Sequence, residues 1–175
     1  TVAEISSFQL ETIHEFHPQI SAILNITPDH LNRHHTMDCY IKTKEAITTN
    51  QTKDEVCVLN YEDEVLRAFG ESAPVHVVWF SSARKLAEGF YLDGEEIFYA
   101  HDGNTEKVIN VNDLNLLGRH NYENVMAATA MSVNFGVPME KIVEVLKRFQ
   151  AVEHRIEYVT EKRGVRFYND SNGTN

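Results

Sequence analysis

The sequence predicts an α/β protein: a mostly parallel sheet flanked by helices, a small antiparallel insertion, and the first strands of a second α/β domain. Three observations carry this. Apolar runs of strand character alternate with segments of helical spacing across residues 20–80. Short alternating runs separated by Asp-Gly pairs fill 89–111. Two amphipathic segments then precede a final pair of strand-like runs.

Residues 20–26 (Ile-Ser-Ala-Ile-Leu-Asn-Ile) and 55–59 read as buried strands, each followed by a helical pattern, as parallel strands with crossovers require. The first helix, 38–48, sets Tyr40, Ile41, Ala46 and Ile47 on one side and distributes Lys42, Lys44 and Glu45 around it. A second helix covers 62–69 and a further strand 75–80. Asp93-Gly94 and Asp102-Gly103 predict tight hairpins, because glycine tolerates positive φ. Helices follow over 121–134 and 139–149, the second opened by Pro138. Strand-like 156–159 and 165–168 flank a Lys162-Arg163-Gly164 turn, and a domain boundary is placed near Gln150, dividing 1–150 from 151–175.

With 175 residues, 42% of them hydrophobic, the chain can bury a real core. No apolar run approaches the ~18 residues of a membrane span, and no charged-then-apolar leader opens the chain, so a soluble cytoplasmic protein is expected. Cys39 and Cys57 lack Cys-x-x-Cys or Cys-plus-His spacing, which argues against a disulfide scaffold or a zinc ribbon. A net charge of −10 without clustered Lys and Arg argues against nucleic acid. The missing initiator methionine and the polar ending 169–175 mark the chain as an expected internal fragment.

Five polar constellations could carry chemistry. Glu4 ends a short apolar run before Ser6-Ser7-Phe8-Gln9, where it is either a metal ligand at a strand tip or a solvated acid beside a helix cap. Thr27-Pro28-Asp29-His30 follows a buried strand; proline forces an extended exit that would hold His30 near the strand's carboxyl edge. His34 and His35 read as exposed and idle, and nothing local separates Lys44 from Lys42. Gly118-Arg119-His120-Asn121 opens a helix on which Asn121 and Asn124, three apart, share a face suited to a base or sugar, or serve only as a cap. His154-Arg155 and Asp170 lie past the domain boundary, where an arginine can clamp phosphates or pair with a surface acid.

Taken together, Glu4-Ile5-Ser6-Ser7-Phe8-Gln9-Leu10-Glu11, Asn25-x-Thr27-x-Asp29-His30-Leu31, Tyr40-x-x-x-Lys44, Gly118-x-His120-Asn121-x-x-Asn124, His154-Arg155 and Asn169-Asp170-Ser171 resemble the Mur ligase family. The Ser-Ser-Phe-Gln-Leu-Glu string is most similar to its D-glutamate-adding branch. The resemblance implies peptidoglycan precursor synthesis. ATP would phosphorylate the carboxylate of UDP-N-acetylmuramoyl-L-alanine, and D-glutamate would then attack the acyl phosphate. It implies two Mg²⁺ ions, with Glu4 binding one and His30 and a carbamylated Lys44 serving the other. Lys44 and His30 would be the catalytic pair; Ser6, Gln9, His30 and Thr174 would face the substrate; Asn121, Asn124, Arg155 and Asp170 would contact the nucleotide. Residues 1–150 would form the central ATP-binding domain and 151–175 the start of the carboxy-terminal ligase domain, in a full-length protein expected to be monomeric.

Two features depart from the family pattern. Its Gly-x-x-Gly-Lys-Thr phosphate loop would lie upstream of Thr1, so this piece alone is expected to be inactive. Its terminal block carries a lysine where this chain has Asn172, and a neutral amide cannot replace that charge. Sister ligases adding another residue, or folylpolyglutamate-type enzymes, are alternatives that the Ser-Ser-Phe-Gln block disfavours. Asn172 is the best support for a different class, a non-catalytic nucleotide-binding module.

Overall fold

A computed structural model of the chain describes residues 1–150 and 157–171. Its centre is a six-stranded sheet whose order in space follows the chain: β1 (Ile20–Ile23), β2 (Val56–Asn60), β3 (His76–Ser81), β4 (Gly89–Asp93), β5 (Glu96–His101) and β6 (Asn104–Asn110). The pairs from β1 to β4 are parallel, and β4–β5 and β5–β6 are antiparallel. The expected antiparallel part is therefore a continuation of the main sheet, hydrogen-bonded to β3 through β4. A second, two-stranded antiparallel sheet joins β7 (Glu157–Lys162) to β8 (Val165–Asn169).

The short connection 82–88 links two parallel strands without a helix, which needs explaining. It can do so because β3 and β4 overlap at only Phe80↔Phe90 and Ser81↔Tyr91, so the chain barely has to turn back. Re-entry runs against the backbone of β3. Gly89 sits at φ 113, and a Cβ there would lie 2.3 Å from the Trp79 carbonyl oxygen. Any side chain would push the strand away.

Helices cover both faces. On one, α3 (Met37–Glu45) and α4 (Glu64–Ser72) enclose a cluster containing Ile23, Tyr40, Cys57, Leu59 and Leu66. On the other, α5 (Arg119–Asn134) packs Val125, Met126, Ala127 and Ala130 onto Val58, Phe80, Phe90 and Ile97, with α6 (Met139–Arg148) adding Val143 and Leu146. Val58 between Cys57 and Leu59 shows the period-two alternation that gives each face its own core. Phe80 and Phe90 are fully buried, and each contributes on the order of 1.5–3 kcal/mol by leaving water.

The expected helices are present with small end shifts. The 38–48 helix is α3 continued by a 3-10 turn, Ala46–Thr48, and Pro138 caps α6. Two further helices of four residues, α1 (Ser7–Leu10) and α2 (Leu31–His34), flank β1. The first strand stops at Ile23, because the Leu24 carbonyl accepts from Asn60 Nδ2 and the Ile26 N–H donates to Asp63 Oδ2, drawing the chain out of the ladder. No described helix is long and apolar enough to cross a membrane.

Candidate functional site

Because β1, β2 and β3 are parallel, their carboxyl ends share one edge, where open α/β sheets bind ligands. The loop after β1 carries Asp29 and His30, that after β2 carries Glu62 and Asp63, and that after β3 carries Ser82 and Arg84.

Asp63 organises the first two loops. One carboxylate oxygen accepts the Val65 and Leu66 N–H groups (3.0 and 3.1 Å) and caps α4, and the other accepts the Ile26 N–H at 2.7 Å. The start of α4 and the path to His30 are thereby one unit. His30 follows at φ 53, with Asp29 Oδ1 accepting its N–H at 2.7 Å and Asp29 Oδ2 3.4 Å from its ring Nε2.

Three helices meet beside it. Ser6 caps α1 in a capping box with Gln9: its N–H and hydroxyl donate to Gln9 Oε1 at 2.9 and 3.0 Å, and its Oγ accepts the Gln9 N–H. The Phe8 ring lies 4.9 Å from that of His30 and stacks on His34 at 5.7 Å. His34 lies 5.2 Å from Tyr40 of α3, and Lys44 Nζ sits 5.4 Å from the Tyr40 ring centre. Helical side chains lean toward the amino end, so Lys44 reaches back along Tyr40 toward the site. Lys44 is half-buried and Lys42 is exposed, a distinction absent from the local sequence. Beside it, burial pushes the Glu45 carboxyl above its usual range, partly offset by the Lys42 charge.

Two expectations need correcting. His34 is not exposed and idle: it is buried, with Nε2 2.9 Å from Ser7 Oγ and Nδ1 3.4 Å from Glu11 Oε1, both ring nitrogens meeting polar atoms. Its contacts with Ser7 and Phe8 were invisible because they join residues far apart in sequence. Glu4 is not at a strand tip: the stretch before α1 pairs with no described strand, Val2 is 93% exposed, and Glu4 itself lies in solvent. A short apolar run without a ladder partner has nothing to make it a strand.

The far side of the edge is built by α5. Gly118 (φ 94) sets the entry; Arg119 Nε donates to Ser82 Oγ at 2.8 Å, and the Ser82 hydroxyl donates to Glu123. This pins the first turn of α5 to the end of β3. Asn121 Nδ2 donates to the Leu117 carbonyl at 2.7 Å, while Asn124 is exposed. Between these regions Glu62 binds Arg84 through two bonds (2.9 and 2.7 Å) and accepts from Ser81 at 2.6 Å. Burial works to raise the Glu62 carboxyl, but Arg84, Ser81 and the Arg67 charge outweigh it and hold it below the usual range. None of Asp63, Ser82 or Glu123 was singled out in the sequence; only the Asp63-x-x-Leu66 start of a helix carried a local signal.

The profile of the Mur ligase middle domain matches residues 1–132. The chain belongs to the Mur ligase family. It is 63% identical over its whole length to a UDP-N-acetylmuramoylalanine--D-glutamate ligase of Lachnospira eligens, of which it spans 39%. Among solved structures it is similar to a UDP-N-acetylmuramate-alanine ligase of Thermotoga maritima (TM-score 0.66, 21% identity, 94% of this chain and 36% of that one). It is also similar to a MurF ligase of Thermotoga maritima in complex with ADP (TM-score 0.59, 19% identity, 87% and 35%). At those identities the solved structures speak to the fold, which is the Mur ligase α/β architecture.

Of the residues the family pattern singles out, the structure brings Ser6, Gln9, His30 and Lys44 into one cluster through Phe8, His34 and Tyr40. Asn121 and Asn124 stand apart, on the α5 turn. Asp170 follows β8. His154, Arg155, Asn172 and Thr174 lie outside the described residues.

Among the described residues, no three His, Cys, Asp or Glu side chains converge on a metal position. The Glu4 carboxylate, exposed ahead of α1, is the hard oxygen donor that Mg²⁺ takes, and a nucleotide-borne Mg²⁺ needs only one or two such protein oxygens beside phosphate oxygens and waters. Such an ion fits poorly with Lys44 as an ammonium, since one cation repels another.

Proposed function

We propose that the full-length protein containing this chain is an ATP-dependent ligase that joins D-glutamate to UDP-N-acetylmuramoyl-L-alanine, releasing ADP and phosphate in peptidoglycan precursor synthesis in the cytoplasm. The observation that carries this is the 63% identity, without a gap in coverage of this chain, to a relative bearing that name. Residues 1–150 would be the ATP-binding middle domain and 151–175 the opening of the ligase domain.

In this reading the α5 turn offers Asn121 and Asn124 to the nucleotide, with Arg155 and Asp170 adding contacts from beyond the boundary. Ser6 and Gln9 take the UDP-linked substrate; the capping box engages the Gln9 amide oxygen and leaves Nε2 for a ligand. Thr174 completes the substrate set. His30, beside Asp29, would serve the substrate and the second Mg²⁺. Glu4, extended and solvated, would bind the first. Lys44 would act as a carbamate: its neutral amine adds CO₂, forming an N–C bond and releasing a proton, so that a cation becomes an anion. Mg²⁺ supplies neutralisation of the charge spreading over the transferred phosphoryl group. The acyl phosphate would then be open to the D-glutamate amine.

The test is phosphate release by the full-length protein, as it stands and with Asn172→Lys, in the presence of ATP and Mg²⁺. Release that requires both UDP-N-acetylmuramoyl-L-alanine and D-glutamate supports the reading. Nucleotide binding with no ADP formed when both substrates are present would overturn it in favour of the non-catalytic module that Asn172 suggests.

A further inference from the structure

We propose that His34 is a positioning residue that holds the Ser6–Gln9 turn in register with His30 and Lys44; this rests on the ligase reading above. The case begins with length. Helices α1 and α2 have four residues each, far below the ~12–15 needed to persist alone in water. Something outside each helix must hold it.

The His34 imidazole supplies that hold in both directions. Its side chain is 1% exposed. Nδ1 lies 3.4 Å from Glu11 Oε1, on a carboxylate that Arg33 also binds. Nε2 lies 2.9 Å from the Ser7 hydroxyl, so each ring nitrogen meets a polar atom of α1 or its cap. Ser7 opens α1 and Glu11 caps its end, so one ring spans that helix. Its faces meet Phe8 and Tyr40, and these reach onward to His30 and Lys44. The proposed substrate residues and the proposed metal-side residues thus touch one another through this ring.

A serine, histidine and carboxylate in this order resemble a nucleophile relay. Here Ser7 is only 4% exposed and a substrate cannot reach its hydroxyl, so the arrangement aligns groups rather than reacting.

The experiment compares the full-length wild type with His34→Phe, His34→Gln, Ser7→Ala and the Ser7→Ala/His34→Phe double variant. Phenylalanine keeps the ring contacts and removes the hydrogen bond to Ser7 and the polar contact with Glu11. Expected is a loss of about tenfold in kcat/KM for the UDP-linked substrate, the size of one buried hydrogen bond, with KM for ATP unmoved because the α5 turn lies elsewhere. Glutamine, able to donate and accept, regains part of the loss, and the double variant is no worse than His34→Phe. Wild-type kinetics in His34→Phe, or equal changes in both KM values, overturn the proposal. Should the wild type fail to ligate, the ligase reading falls separately, and amide exchange decides this one. Selective loss of protection at Gln9, Leu10 and Glu11 in His34→Phe supports His34 as the hold on α1; unchanged protection overturns it.

Discussion

The cluster of α1, α2 and α3 and the first turn of α5 both border the carboxyl edge of the sheet, yet they are built on opposite plans. In the first, side chains are locked ring against ring, and the buried His34 ties pieces of chain too short to fold alone. In the second, a sixteen-residue helix stands on its own buried face, and its polar residues need only one anchor, the Arg119–Ser82–Glu123 set. A long helix can offer Asn124 to solvent without losing its place. Short helices keep theirs only through their neighbours, so a change in the first region should spread and a change in the second should stay local.

The largest effect expected is from Lys44→Ala in the full-length protein, a fall in turnover of about 10³-fold, the scale of losing one preorganised charge. A short carboxylate added to the assay should restore part of it. Unaltered turnover would remove Lys44 from the mechanism. Asn124→Ala probes the other plan: calorimetric ATP affinity should drop about tenfold, as for one hydrogen bond to a ligand, while KM for the UDP-linked substrate holds. A loss in both would erase the contrast between spreading and local damage. Asp63→Ala should lower stability by about 1–3 kcal/mol in urea titrations, since it removes a helix cap and leaves the Ile26 N–H without its partner. It should also disturb His30 before Asn124, which amide exchange can rank.

The smallest effect concerns acid. Glu11, Glu55 and Glu62 have carboxyls held below their usual range: Glu11 first by the Arg33 hydrogen bond, Glu55 first by the Thr52 backbone N–H, and Glu62 by partners that overcome burial. Their stabilisation is present above the ordinary value of 4.5 and lost as pH falls through the lower folded values. Glu45 is raised and runs the other way, its contribution lost as pH rises through its folded value. With three groups against one, the urea midpoint should decline from pH 6 to pH 3; a rise would show that Glu45 governs.

What the sequence made legible follows from how local each signal is. Strands 55–59 and 75–80, the Asp-Gly hairpins and the Pro138 start are set by neighbouring residues, and they stand where expected within a residue or two. The joining of the antiparallel part to β3 was not legible, because it depends on an offset between strands and on Gly89 passing the Trp79 carbonyl. At the site, the Ser6-x-x-Gln9 signature was local and folds as a capping box. The burial of His34 and the choice of Lys44 over Lys42 were not, because Ser7 reaches His34 only across the fold and the face of α3 that carries Tyr40 and Lys44 is set by its packing on His34. The strand-tip placement of Glu4 failed for the matching reason: no described strand lies beside it.

The order of the six strands has a consequence for how the molecule reaches its fold. Every strand of the six lies next to its neighbour in the chain, but the loops that the pairings close differ in length, from the tight turns after β4 and β5 to the long crossover between β1 and β2. The cheapest loops are the two hairpins joining β4, β5 and β6. Assembly is expected to begin there and grow toward β1, with α5 docking as the template widens. Pulse-labelled amides of Ile97 and Ile109 should then be protected before those of Ala22 and Ile23; the reverse order would mean that the crossovers, despite their longer loops, lead.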